Sequence, residues 1–204
     1  MKTAKLLMVT GAILMMSFNN PTPGSLTDAE RKAAADSLKE TKDNLLKAVK
    51  GLSAAQLNFK ADATSWSVAE CVEHLAISEN NLFGFVQMGL KEAADPSRRS
   101  EVKMSDDAVV MSITDRSGKV KTSEQFEPTN KFGSYEGTVK EFTTKRDASI
   151  NYVKTTADDL RNHYNDFPFG KLDTNQTIMF MSGHTTRHTA QIQEAMAHAN
   201  FPKK

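Results

Sequence analysis

Apolar residues recur at helical spacing in four stretches of the chain, and breakers separate the stretches. The first begins near Thr27. Thr27-Asp28-Ala29-Glu30 is a capping box, and Ala34, Leu38, Leu45, Val49 and Leu52 then repeat among Lys, Asp and Glu until Gly51 ends the helix. Residues 52–66 read as a connection, with Ser53 placed to cap a short helical turn. Trp66 closes it, expected as a hydrophobic staple against the next helix rather than a ligand platform. The second helix starts at Ser67, with Ser67-Val68-Ala69-Glu70 as another capping box. Cys71, Leu75, Ser78, Leu82 and Val86 mark its buried stripe, widened by Val72, Phe83 and Leu90. His74 lies on the edge of that stripe, and Glu70 precedes it by one turn.

Periodicity fades from Ala94 to Gly133. Ser105 is placed to cap a short helix over Asp106–Asp115, with Val109, Val110 and Ile113 inward. Ser117-Gly118 breaks it, Val120 to Phe126 reads as extended, and Pro128 closes the segment. So long a link reads as a lid or a crossover, and it lets helices two and three run parallel. The third helix is predicted from Ser134 to Ala157, with Val139, Phe142, Arg146, Ile150 and Val153 inward and Arg146 near the boundary. Phe167-Pro168-Phe169-Gly170 is a turn signal. The fourth helix is expected to start with Thr174 as a plain N-cap, followed by Ile178, Met181, His184 or Thr185, His188, Ile192 and Ala195 on one face. The pattern predicts an all-α four-helix bundle with a long crossover between helices two and three.

The candidate chemistry sits on two of these helices. His184 and His188 are four apart, so on a helix both imidazoles leave the same face one turn apart. Two ring nitrogens so placed can reach one metal ion at about 2.0–2.1 Å. Burying two imidazoles without a partner is costly, so their place on an apolar face adds weight. His74 on another core face completes three protein ligands, the number a catalytic zinc site uses while one position stays open. Glu70 and Gln191 are the candidates to orient these rings. Arg187 is placed either to steady an anionic substrate or to form an exposed salt bridge, and His163 either to approach the site or to pack in a loop. His198 is expected to be exposed. No Glu follows His184, so the His-Glu-x-x-His arrangement of metalloproteases is not present, and a two-metal carboxylate site lacks its Glu-x-x-His spacing.

Composition narrows the classes further. With 204 residues the chain suits one well-cored domain. The formal net charge of +1 falls to −1 when Lys2 and Lys5 are removed, and no basic stripe points to nucleic acid. Cys71 is the single cysteine, so no internal disulfide is available. It reads as a small buried hydrophobe, with a catalytic thiol as the alternative. Residues 1–18 resemble an export signal: Lys2 and Lys5 precede an apolar run from Leu6 to Phe18 that is short for a membrane span. The expectation is an exported protein, periplasmic or secreted, without a stable membrane anchor; an uncleaved N-terminal anchor is the alternative. Residues 19–26 follow as a linker, and the bundle is expected over 27–200.

Two motifs carry a resemblance. Ser65-Trp66-Ser67-Val68-Ala69-Glu70-Cys71-Val72-Glu73-His74-Leu75 is similar to the Trp-(Ser/Thr)-x-x-Glu-x-x-x-His-Leu segment that opens helix two of DinB-like proteins. Gly183-His184-Thr185-Thr186-Arg187-His188-Thr189-Ala190-Gln191-Ile192 resembles their terminal His-x-x-x-His-x-x-Gln-Ile segment. The long second-to-third link and the Pro-Phe-Gly turn at 168–170 fit as well, so the resemblance spans about residues 27–200. It implies the DinB/YfiT-like metal-binding bundle, with His74, His184 and His188 holding a divalent metal, zinc or nickel. Some members of that family transfer low-molecular-weight thiols or isomerise with a thiol cofactor. The enzyme reading of this chain is a metal-dependent hydrolase or thiol S-transferase of a small molecule, and the alternative is a non-catalytic metal-binding or structural bundle. An exported protein meets little cytosolic thiol, which favours hydrolysis of the two. A plain bundle whose histidines only pack is a third reading, and a homodimer is a further expectation.

Overall fold

Local capping sets most of the helix starts. The computed structural model describes residues 24–118 and 121–203. Helix α1 (Asp28–Val49) opens on the Thr27 box, in which the Glu30 carboxylate accepts from the Thr27 backbone N–H at 2.9 Å. The single-turn α2 (Ala54–Leu57) opens on Ser53, and α3 (Val68–Gly89) on Ser67. The crossover carries a 3₁₀ turn at Pro96–Glu101, helix α4 (Asp106–Thr114) capped by Ser105, and a second 3₁₀ turn at Glu124–Phe126. Helix α5 (Tyr135–Thr155) starts from Ser134 as predicted and stops two residues short of Ala157. A hairpin of β1 (Tyr164–Phe167) and β2 (Gly170–Asp173) then leads into α6 (Thr174–Met196).

Several expectations need correction. Asp173, not Thr174, caps α6: its side chain accepts from the Gln176 N–H at 2.6 Å, and the Gln176 side chain returns to the Asp173 backbone. A carboxylate at the cap with Gln three residues on satisfies two free donors, where Thr174 would satisfy one. The segment expected to be extended to Phe126 is a 3₁₀ turn over Glu124–Phe126, and Val120 lies outside the described residues. The turn at 168–170 closes a real antiparallel ladder, Tyr164 opposite Asp173 and Phe167 opposite Gly170, where Gly170 takes φ 136°. Leu26 and Phe201, just outside the expected 27–200, pack against the core. The predicted export signal, residues 1–18, lies outside the described residues. None of the described helices is long and apolar enough to cross a membrane.

The core divides into two apolar clusters, one at each end of the bundle. One joins Ala34, Ala35 and Leu38 of α1 with Leu82 and Val86 of α3, Ile150 and Val153 of α5, and Ile178 and Met181 of α6. The other joins Leu45 and Val49 of α1 with Cys71, Val72, Leu75 and Ala76 of α3, Phe142 of α5 and Ile192 of α6. Rising residue numbers on α3 therefore match rising numbers on α5 and falling numbers on α6. Helices α3 and α5 run parallel, α1 and α6 run parallel, and the two pairs oppose each other. A tight turn cannot join parallel neighbours, so the crossover is obligatory. Its helix α4 lies along the outside of α6, with Ile113 against the Cα of Gly183.

Candidate metal centre

Antiparallel packing of α3 on α6 sets His74 opposite His184 and His188. The Nε2 atoms of His74 and His188 each lie 3.1 Å from Nε2 of His184. All three ligand atoms fall within 4.8 Å of one another. Ligand atoms at about 2.0–2.1 Å from a tetrahedral ion are separated by about 3.3–3.4 Å, close to the spacing found.

The atoms behind the rings decide where the protons are. His74 Nδ1 is 2.8 Å from the backbone oxygen of Phe126, and His188 Nδ1 is 2.9 Å from Oε1 of Gln191. Both oxygens only accept, so each Nδ1 carries the hydrogen and each Nε2 keeps a lone pair while the ring is neutral. His184 can offer at most one proton to these two lone pairs. At least one electron pair is left without a proton among three buried ring nitrogens that lie within 4.8 Å of one another, an arrangement that a cation fits and that packing alone does not favour. Burial keeps the rings neutral: desolvation lowers the pKa of His74, holds that of His184 well below the ordinary value, and takes His188 down to about 3.

Aromatic rings wall the site. Trp66 lies 4.7 Å from the His74 ring and 6.0 Å from His188, and Phe126 meets His74 edge-on at 6.5 Å. Phe180, one turn before His184, stacks on its imidazole at 5.9 Å. Trp66 therefore does more than the predicted staple.

Gln191 sits behind the His188 ring, whereas Glu70 contacts none of the three imidazoles. The Glu70 carboxylate accepts from the Ser67 N–H at 2.7 Å and from Lys60 Nζ at 2.7 Å, which leaves the Phe126 carbonyl to hold His74. A capping-box Glu turns back toward the helix start and cannot also serve a ring one turn ahead. The acidic residue that matters is Glu73. Its Oε1 accepts from the Thr129 N–H at 3.1 Å and the Lys131 N–H at 2.6 Å, clamping the last leg of the crossover beside His74.

Arg187 contacts neither a carboxylate in an exposed pair nor the site. Its guanidinium donates to the carbonyls of Ile113, Asp115 and Gly118, tying the end of α4 to α6. His163 is placed away from the triad, its Nδ1 3.0 Å from the Gly89 carbonyl at the far end of α3. His198 is half-buried rather than exposed, its ring 5.5 Å from Phe59. Cys71 is buried, and burial pushes its thiol up to about 12, so a catalytic thiolate is not available there. The roles of Phe126 and Glu73 escaped sequence reasoning. A backbone carbonyl has no side-chain signature, and a Glu at a helix position reads as surface.

The comparisons with known proteins bear on family and fold. The sequence profile of the DinB superfamily matches residues 37–192. The uncharacterized protein YuaE of Bacillus subtilis (strain 168) is 27% identical over 147 residues, covering 72% of this chain and 86% of YuaE. Among solved structures, YfiT from Bacillus subtilis aligns with a TM-score of 0.59 at 18% identity, covering 87% of this chain and 92% of YfiT. YfiT is described as a probable metal-dependent hydrolase with an unusual four-helix bundle topology, and at this identity the likeness speaks for the fold. With a family profile matched over α3 and α5 entirely and over most of α1 and α6, the chain belongs to the DinB superfamily.

Proposed function

We propose that the chain is a divalent-metal-dependent hydrolase of a small molecule, with His74, His184 and His188 as the ligands and zinc or nickel as the ion. The observation that carries this reading is the clustering of three buried Nε2 atoms, with Phe126 and Gln191 accepting from Nδ1 behind two of the rings. The description of YfiT as a probable metal-dependent hydrolase supports the reaction class. The chemistry supplied by such an ion is Lewis acidity, toward a carbonyl or a water whose pKa it lowers. The residues of the chain do the rest. Phe126 and Gln191 hold the ring orientation, the aromatic walls of Trp66 and Phe180 limit water, and the Glu73 clamp keeps the crossover over His74. Thiol S-transfer would use the same ligands. The apolar run from Leu6 to Phe18 supports export, where hydrolysis is the better match.

Metal content by mass spectrometry on the tag-free protein tests the proposal, with His74→Ala, His184→Ala and His188→Ala alongside. Near-stoichiometric metal that falls in each variant, with turnover of an ester, amide or thioester that falls with it, is the expected result. Metal without turnover of any of these would assign the triad to fastening α3 to α6. No metal in the parent protein would refute the ligand assignment.

A further inference from the structure

A charged layer separates the two apolar clusters of the bundle, and the metal chemistry makes no use of it. Arg146 and Glu79 are 1% and 2% exposed and paired at 2.7 Å. Arg146 was expected near a boundary; instead it is the bulkiest fully buried side chain of the described residues. Its Nη1 donates to the Leu38 carbonyl at 3.2 Å and to Thr41 Oγ1 at 2.9 Å, both on α1. Its Nη2 donates to Glu79 Oε2 on α3 at 2.7 Å and to Thr185 Oγ1 on α6 at 2.7 Å, with the Met181 carbonyl at 3.3 Å. The second Glu79 oxygen accepts from Ser149 Oγ on α5 at 2.9 Å. One ion pair thus touches all four bundle helices at one level.

Stability does not explain this layer. Well-packed apolar residues of similar volume are often as stabilising as a buried ion pair, or more so, because desolvating two charges offsets their attraction. A buried pair fixes geometry in a way an apolar layer does not: a planar guanidinium fork accepts partners in few directions, whereas aliphatic chains slide. The partners here are informative. Helices α3 and α6 supply all three imidazoles, and Nη2 is a single atom bonded to both. Thr185 directly follows His184, and Glu79 lies five residues beyond His74, about 7.5 Å along the axis. A slide of α3 against α6 by one residue's rise, about 1.5 Å, would spoil the 3.1 Å approach of His74 to His184.

We infer that Arg146 and Glu79 are positioning residues for the metal ligands, setting the axial register of α3 against α6. The inference rests on the metal reading above. Its test is cobalt(II) titration followed by visible absorption, set beside thermal unfolding of the metal-free protein. The double variant Arg146→Met/Glu79→Leu fills the layer with apolar volume, and Thr185→Val removes only the hydroxyl that ties Nη2 to α6. The double variant is expected to unfold within a few degrees of the parent, or higher, while its cobalt dissociation constant rises at least tenfold and the tetrahedral absorption weakens. Thr185→Val is expected to weaken cobalt binding severalfold in the same direction. A folded double variant that binds cobalt as the parent does would overturn the inference and leave the metal site standing. Should the double variant not fold, unchanged binding by Thr185→Val overturns it alone. A parent protein that takes no metal sinks both readings.

Discussion

Gln191 offers the most direct handle on how the site selects its proton arrangement. Its Oε1 accepts from His188 Nδ1 at 2.9 Å, whereas the equivalent partner of His74 is a backbone carbonyl that no substitution removes. In Gln191→Leu the Nδ1–H of a buried ring loses its acceptor. The hydrogen bond itself is worth about 0.5–1.5 kcal/mol, and leaving a buried donor unmatched costs about 1–3 kcal/mol. Part of that cost is relieved when the ring rotates or changes tautomer, and each escape turns a proton or an edge toward the metal position. A net loss of about 1.4–2.7 kcal/mol in binding follows, or a dissociation constant raised about 10- to 100-fold, in the range seen when such outer partners are removed. Gln191→Glu keeps the acceptor, adds charge and makes the imidazole a better donor, so affinity should hold or rise. Trp66 reports both outcomes. It is the sole tryptophan and lies 4.7 Å from the His74 ring, so cobalt(II) or nickel(II) at the triad should quench its fluorescence. A Leu variant that binds within twofold of the parent would show that Gln191 does not set the tautomer of His188.

Three further predictions follow from other parts of the site. A Cβ at Gly183 would come 2.4 Å from Ile113 Cγ2, so Gly183→Ala should push α4 from α6 and lower stability by about 1–3 kcal/mol by denaturant unfolding, despite the better helix propensity of Ala; a more stable variant would contradict the packing. In the metal-free protein His188 has its folded pKa depressed from 6.5 to about 3, so below pH 6.5 the unfolded chain binds a proton that the native chain does not; stability should be flat above that pH and fall by about 1.4 kcal/mol per unit below it from His188 alone, with His74 and His184 adding in the same direction, and urea midpoints at pH 7.5 and 5.5 that do not differ would refute it. Cys71, buried with its thiol pushed up to about 12, should resist a thiol reagent in the native protein and react fully in denaturant; rapid native labelling would show that α3 opens.

How much of this was legible in the sequence differs between layers. Starts of α1, α3 and α5 were visible because the capping residue and its partner are three apart in the chain, a local signal that tertiary context did not override. The same signal lay at Asp173-x-x-Gln176, masked by the Thr that follows. The candidate triad was legible because His74, His184 and His188 each fall on or beside an apolar stripe, and the fold brings them together. What held those rings was less so. Glu70 at one turn before His74 looked like an orienting residue, yet the capping box had first claim on it. Arg146 looked like a boundary residue because a lone cation on an apolar stripe normally reaches for water, and only the fold shows Glu79 waiting for it on another helix.

The crossover brings these layers together. Running α3 parallel to α5 demands a long connection, and such a connection is ordinarily a liability, since its backbone must find partners and its closure costs entropy. Here its parts are used. Helix α4 lies close on α6 because Gly183 lets Ile113 approach, and Arg187 fastens the end of α4 through three carbonyls. The last leg then returns over α3, where Glu73 takes two of its backbone N–H groups and Phe126 hands its carbonyl to His74. The topology therefore supplies what the sequence motif lacks. His74 has no side-chain partner for its Nδ1, and the segment that the parallel helices require passes over it and provides one. Loosening that leg should act as a ligand substitution does at one remove. Glu73→Gln removes the charge that holds Thr129 and Lys131, frees the Phe126 carbonyl to move, and should weaken metal binding while leaving His74 in place. Unchanged binding in Glu73→Gln, together with an intact fold, would mean that the crossover covers the site without building it.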